Sequence, residues 1–375
     1  MYVRRVLVVY DHGSVAPKRM AAAARDAGCK LVFLPADSEH ARSMRRTLGL
    51  FGTVVDPTGR GFAEVVAELR ALRPAGIVTF SETQLRPTAR LAGALGLDYQ
   101  SPADVHALTD KAEQRRRLRA AGIDDVRGEV VAHPGDVDTA VKLVGLPAVV
   151  ESLAGRPTRR PFGDYLGVQV VAFGGAVAPM FPMSKFAFAP PFRERGGYGP
   201  RSVEDPALIA EVCGLACAAV GCLGVRQGVA EAEIKLTGAG PRVIEVNGRL
   251  GGWVDDLANR TGVTDPLRTA LLCALGEPPP APREGNGRLA FQYLLHAPME
   301  ATRVVSVHGL DRLRRIPSAE RVYVRTRAGA RVDWRTGSAS ALGAVWGYAG
   351  SCDELAATVE EIESTDWITY ESEVT

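Results

Sequence analysis

The stretch from Glu231 to Gly252 most constrains what this chain can fold into. Glu231–Thr237 and the run from Gly240 onward read as two apolar-rich strands, joined by a turn at Gly238-Ala239-Gly240-Pro241. Alternation places Glu233 on one face of the first strand, and Glu245 and Asn247 together on one face of the second. Two carboxylates and an amide oxygen on paired strands form a hard oxygen cluster of the kind Mg²⁺ accepts. Magnesium in turn brings nucleotide phosphates. Arg249 is the next residue on that face if the strand continues, and it adds a fixed positive charge.

The first hundred residues alternate strand and helix. Val6–Tyr10 reads as a buried strand, Arg19–Ala27 as a helix ending at Gly28, and Lys30–Leu34 as a strand. Phe62–Leu72 reads as a helix with an apolar stripe, and Gly76–Phe80 as a further strand. This rhythm predicts a mainly parallel sheet, whose ligands gather beyond the carboxyl ends of the strands. Ser81 and Glu82 sit at one such end, so Glu82 either faces a cleft or serves a turn or helix cap. The first strand runs into Asp11-His12-Gly13-Ser14 rather than GxGxxG, and no GK[ST] phosphate loop occurs. Neither common nucleotide fingerprint is therefore present.

Asp110-Lys111-Ala112-Glu113 opens a helix with a capping-box pattern, and Gly122 ends it. The basic run Arg115-Arg116-Arg117 within it reads as a solvated face. Val137–Val144 reads as a helix, Pro147–Glu151 and Val168–Phe173 as strands, and Ala176–Phe181 as a hairpin return. Pro206–Val220 is an apolar helix, and the proline run after Glu277 marks a boundary. Strands recur near Leu289–Leu295 and Arg321–Val324, and Asp353–Ile362 is helical.

A chain of 375 residues suggests two or three domains. A net charge of +2 gives no reason to invoke nucleic acid. No signal-peptide pattern is visible, and the longest apolar stretch, Ala207–Val225, is broken by Glu211 and glycines, so no membrane span is expected. Six cysteines without a CxxC pair fit neither a zinc nor a redox motif, and the expected setting is the reducing cytoplasm.

The run EIKLT…GPRVIEVNGRLGG (233–252) resembles the metal-binding core of ATP-grasp enzymes, especially their carboxylate–amine ligases. Val78–Glu82 through Leu108–Lys111 resembles the end of that family's N-terminal domain and the entry to its ATP-grasp domain. Ala189-Pro190-Pro191-Phe192-Arg193-Glu194-Arg195-Gly196 resembles a loop of members that join amino acids. The resemblance implies an α/β and α+β fold in three parts. These are a parallel-sheet domain over residues 1–105, an ATP-grasp domain over 106–280 with a reduced lid at about 128–181, and a C-terminal α+β domain over 281–375.

One part of the family pattern is absent. Leu146–Val150 starts like the strand that carries a phosphate-binding lysine, but runs straight into Glu151–Gly155, which looks like the hinge beside the nucleoside. Roughly forty residues with the lysine and a glycine-rich loop are missing from the pattern. Glu151 then either accepts a ribose hydroxyl or, in the other alignment, replaces a cation. Arg156, Arg159 and Arg160 are the available substitutes for that cation.

The resemblance implies ATP and Mg²⁺ as cofactors and a reaction that joins a small carboxylate to an amine, both amino-acid-like, through an acyl phosphate. Glu233, Glu245 and Asn247 would hold Mg²⁺, and Arg249 would stabilise the acyl phosphate. Lys111 would contact nucleotide phosphate, its other reading being an ordinary surface lysine. Arg193 or Arg195 would grip a substrate carboxylate, with Lys185, Glu82, Gly251 and Gly252 lining the same cleft. A homodimer is the assembly to test. The rival reading is an ATP-grasp relative that binds a ligand or partner and no longer ligates.

Overall fold

The computed structural model describes residues 3–127, 129, 131, 133–144, 162–200 and 206–372. The apolar runs at the start become β1 (Arg4–Tyr10), β2 (Cys29–Pro35), β3 (Thr53–Val54) and β4 (Gly76–Val78). They form one parallel sheet in the order β3-β2-β1-β4. Helices α1 (Pro17–Asp26), α2 (Glu39–Gly49) and α3 (Phe62–Ala71) supply the crossovers. Local chemistry sets their starts: α1 opens on Pro17, and Ser38 caps α2 by accepting the Ala41 N–H. The sheet grows to one side of β1 through β2 and β3, then crosses to its other side for β4. The crevice beyond the carboxyl ends of β1 and β4 is thus a switch point, where such sheets take ligands.

Four helices follow: α4 (Leu85–Leu95), α5 (Pro102–Thr109), α6 (Lys111–Ala120) and α7 (Val137–Val144). Asp110 caps α6 through the Glu113 N–H, as the capping-box pattern predicts. The second sheet is built by β5 (Phe162–Phe173), β6 (Ala176–Phe186), β7 (Gly196–Gly199), β8 (Gly228–Thr237), β9 (Gly240–Asn247) and β10 (Leu289–Leu295). Helices α8 (Pro206–Cys222), α9 (Val254–Thr261) and α10 (Pro266–Ala274) lie between its strands. Beyond β10 come β11 (Ala301–Val307), α11 (Leu310–Arg315), β12 (Ala319–Val324), β13 (Gly343–Ala349), α12 (Cys352–Ser364) and β14 (Ile368–Ser372). The eight strands run β12-β13-β10-β7-β6-β5-β8-β9, every pair antiparallel, while β11 and β14 pair separately.

Alternation gives the second sheet two faces of opposite character. Leu166, Val168 and Val170 of β5, Ala230, Ala232 and Ile234 of β8, and Val243 and Val246 of β9 pack with α8 in one core. The residues between them face the other way, toward the parallel sheet. There the two sheets share a core through α9 and α10, and Gly76 of β4 lies so close to α10 that a Cβ would stand 2.0 Å from the Ala274 carbonyl oxygen. A third core joins β10 and β13 to α12.

The lid expected from the sequence falls partly outside the described residues. The family pattern gives it the range of about 128–181. Its residues 162–181 lie within β5 and β6, and β5 is hydrogen-bonded edge to edge with β8. Their apolar alternation fits them to the sheet itself. The Pro147–Glu151 strand and Arg156, Arg159 and Arg160 lie outside the described residues, and so does Glu151. Among the described residues no helix is long and apolar enough to cross a membrane.

Candidate active site

The β8–β9 hairpin pairs Glu233 with Glu245 and Glu231 with Asn247. Directly opposed residues share a face, so all four side chains line the cleft side of the sheet. A β-bulge makes this possible. The register shifts between Glu233 and Ile234, which faces Val243, leaving Ile244 as the extra residue. Simple alternation would put Val243 and Glu245 on one face. The bulge sends Val243 into the core and Glu245 into the cleft. Asn247 donates from Nδ2 to Glu245 Oε1 at 3.3 Å.

Helix α6 holds this bulged edge strand. Gln114 accepts from the Val246 N–H at 2.7 Å and donates to the Val246 carbonyl at 2.9 Å. Asp124 accepts from the Val243 N–H at 2.8 Å, and Arg115 donates to the Val243 and Ile244 carbonyls. The basic run in the sequence predicts a solvated face for Arg115. It is instead three-quarters buried, and burial lowers its pKa from the usual value, opposed by Asp124 and Glu245. The same helix opens with Lys111, whose Nζ lies 3.4 Å from Glu245 Oε2.

The parallel sheet supplies the opposite wall. Ser14, after β1, donates its N–H to the Phe80 carbonyl, and its hydroxyl to the Leu250 carbonyl at 3.1 Å. This ties the switch point to the chain beyond β9. Glu82 follows β4, and its Oε2 lies 3.2 Å from Arg249 Nε. The strand β9 ends at Asn247, so Arg249 is not a further strand residue; it reaches the cleft from the bend that follows. Its Nη1 stands 3.6 Å from Glu231 Oε2. Glu231 was not expected at the site. Its spacing of two from Glu233 carried the signal, since both must share a face.

Burial gives these carboxyls unusual acidities. It raises Glu82, with Arg249 working against the rise. It raises Glu231, which Lys185 and Arg249 partly offset. It pushes Glu233 up to about 8, Lys185 lowering it and Glu231 and Glu245 raising it further. Among the described residues Oε1 of Glu231 has no hydrogen-bond partner, and Oε2 of Glu82 has only its ion pair with Arg249. Crowded, desolvated carboxyls are what a cation relieves.

The APPFRERGG loop reaches the cleft with a different residue from those expected. Arg193 is 2% exposed, and donates to the Pro190 carbonyl at 2.7 Å and the Ala297 carbonyl at 3.0 Å. Arg195 contacts the Tyr293 hydroxyl and Glu363. Neither joins the cluster, and Arg193 spends its Nε and Nη1 on those two backbone carbonyls. Glu194, between them, points the opposite way. Its Oε1 accepts from Lys185 Nζ at 3.0 Å and the Tyr165 hydroxyl at 3.1 Å. Burial alone would lower the Lys185 ammonium; Glu194 and Glu233 outweigh it and hold its pKa well above the usual value. Lys185 is thus on the cleft side but buried, its Nζ 4.9 Å from the Trp253 ring centroid.

Gly251 donates its N–H to Gln169 Oε1 at 3.2 Å, and a Cβ there would lie 2.1 Å from Glu231 Oε1. Gly252 beside it has open space around it. Among the described residues no three His, Cys, Asp or Glu side chains are grouped as metal ligands. The oxygens at hand are the Glu233–Glu245 pair and the Asn247 amide. That sparse set suits Mg²⁺, which is bound through one or two carboxylates and completed by water and phosphate oxygens.

No protein-family model matches the chain. It is 28% identical over 342 residues to carnosine synthase 1 of Homo sapiens, covering 75% of this chain and 41% of that protein. It is 26% identical over 378 residues to carnosine synthase 1 of Mus musculus, covering 82% and 45%. The chain therefore spans less than half the length of these curated relatives. Its fold is similar to that of an L-amino acid ligase from Bacillus licheniformis, with a TM-score of 0.73 at 19% identity over 98% of this chain and 99% of that one. A phosphoribosylglycinamide synthetase from Anaerococcus prevotii gives a TM-score of 0.69 at 14% identity over 99% and 100%.

Proposed function

We propose that this chain, which has the ATP-grasp fold, is an ATP-dependent ligase that joins a small carboxylate to an amine, releasing ADP and phosphate. One observation carries the reading. Lys111, Glu233, Glu245, Asn247, Arg249 and Glu82, taken from a helix, the β8–β9 pair and the segments that follow β9 and β4, converge on one cleft at the switch point of the parallel sheet. The likeness to carnosine synthase 1 supports amide formation between amino-acid-like substrates. In this reading the chain divides at about residues 105 and 280.

Glu233, Glu245 and Asn247 would hold Mg²⁺, which neutralises and aligns the nucleotide phosphates when bound. Lys111, at the mouth of the cleft, is placed to meet a phosphate oxygen. The substrate carboxylate attacks the terminal phosphorus, the bond to ADP breaks, and an acyl phosphate forms. The amine then attacks the acyl carbon, phosphate leaves with the electron pair, and the amine gives up a proton. Arg249 faces the charge that develops in both steps. Glu82 orients Arg249 and is open to an amine on the substrate. The scheme asks for no protein nucleophile.

The test is ADP formation followed by chromatography across panels of amino acids and small acids, with Mg²⁺. ADP that depends on both an acid and an amine is expected. AMP as the product, or no amine-stimulated turnover across a broad panel by folded protein, would overturn the proposal and favour a non-ligating relative.

A further inference from the structure

Glu231 is 2% exposed, yet among the described residues its Oε1 has no hydrogen-bond partner. A buried carboxylate left incompletely paired is costly, so its position needs an explanation. Its neighbours supply one. Arg249 lies between two carboxylates, with Nε 3.2 Å from Glu82 Oε2 and Nη1 3.6 Å from Glu231 Oε2. Nη1 also donates to the Leu250 carbonyl at 2.9 Å. These contacts use Nε and Nη1. Among the described residues Nη2, which carries two of the five guanidinium N–H groups, makes no hydrogen bond.

The chain around Glu231 is shaped to admit it. A Cβ on Gly251 would lie 2.1 Å from Glu231 Oε1, and one on Gly167 would lie 2.8 Å from the same oxygen. Gln169, its partner across β5 and β8, spends its Oε1 on the Gly251 N–H, and its own Nε2 has no hydrogen-bond partner among the described residues. The carboxylate thus fills a hollow between two glycines, with one oxygen turned to Arg249.

We propose that Glu231 is a positioning residue for Arg249. It holds the guanidinium at Nη1 while Glu82 holds it at Nε, so that Nη2 is kept for an anionic oxygen of the reacting group. This rests on the reading of Arg249 given above. Gly167 and Gly251 are required because they make room for the carboxylate.

Glu231→Gln keeps the shape and removes the charge. Turnover at saturating substrate should fall about 100-fold, the scale of a small misplacement of a reacting group. The nucleotide KM, the Mg²⁺ half-saturation and the melting midpoint should hold their wild-type values. A crystal structure of the variant should show the Arg249 guanidinium displaced from its place between Glu82 and residue 231. Gly251→Ala should destabilise the fold; adding Glu231→Ala should restore the fold but not turnover. An unmoved guanidinium, unchanged turnover, restored turnover in the double variant, or a shifted Mg²⁺ half-saturation would each overturn the proposal. If wild-type protein shows no ligase turnover, the proposed function fails, and the crystallographic position of Arg249 still decides the role of Glu231.

Discussion

Glu233 and Glu245 stand opposite each other across the β8–β9 pair, and the register slips by one residue immediately beyond them. The slip is what lets a strand whose Val243 belongs to the core deliver Glu245 to the cleft. Two carboxylates so placed repel each other, and the cost is recovered when a cation binds between them.

Replacing Glu245 by Gln removes one anionic oxygen without changing side-chain size. Mg²⁺-nucleotide affinity, measured by calorimetry, should weaken at least about 10-fold, since even indirect damage to a metal site costs that much. The far-UV spectrum and the urea midpoint should stay near wild type, because Glu245 is only part-buried and its loss also relieves repulsion. Equal affinity in the two proteins would remove Glu245 from the site.

The acidity of Glu233 makes a prediction about pH. Its ordinary value is 4.5, and burial lifts it to about 8 in the folded chain. Between those values the folded state holds a proton that the unfolded state has released. Ligand-free stability should therefore fall as pH rises from about 5 to 8, with a limit near 1.4 kcal/mol per pH unit for one proton. Urea titrations at several pH values should show this slope, flattened in Glu233→Gln. Mg²⁺-nucleotide should stabilise the wild type more at pH 8 than at pH 5. A flat profile, or an unaltered slope in the variant, would contradict the assignment.

Much of this was legible in the residues. The strand–helix rhythm of the first hundred residues, the hairpin and the Asp110 cap are local signals, and they formed as local chemistry dictates. Glu82 could be placed because strand ends in a parallel sheet are functional ground. What escaped depends on partners distant in the chain. Nothing near Ile244 announces a bulge, which is set by how α6 grips the strand edge. Arg115 looks like its neighbours Arg116 and Arg117 until β9 arrives beside it. In Arg193-Glu194-Arg195, charge drew notice to the arginines, whereas Glu194 alone turns toward Lys185. Glu151 lies outside the described residues, so its two alignments stay as the sequence left them.

Gln114 satisfies both polar backbone groups of Val246. Gln114→Ala would leave a buried N–H and a buried carbonyl unpaired, at about 1–3 kcal/mol for each unsatisfied group. Chemical denaturation should show that loss. Because Val246 lies between Glu245 and Asn247, Mg²⁺-nucleotide affinity should fall too, although Gln114 does not reach the cleft. A destabilised variant with wild-type affinity would show that the strand holds its shape without α6.

The Lys185–Glu194 pair separates folding from chemistry. Lys185 is buried, and burial opposes ionisation of Glu194 until Lys185 and the Tyr165 hydroxyl overcome it and lower its pKa. The stability from Glu194 is thus present above pH 4.5 and is lost as pH falls through its lowered value. Lys185→Met would strand the carboxylate and should cost about 3 kcal/mol, the lower end for breaking a buried pair, because Glu194 is only partly covered. Adding Glu194→Gln should recover most of that cost, since the double variant leaves no charge unpaired. Turnover should not recover with it if the ammonium touches substrate. The measurement is a double-mutant cycle in urea beside kcat and KM for each substrate. Recovery of stability without activity would place Lys185 at the substrate. Recovery of both would make the pair a brace for the loop at 189–195, with no direct part in the reaction.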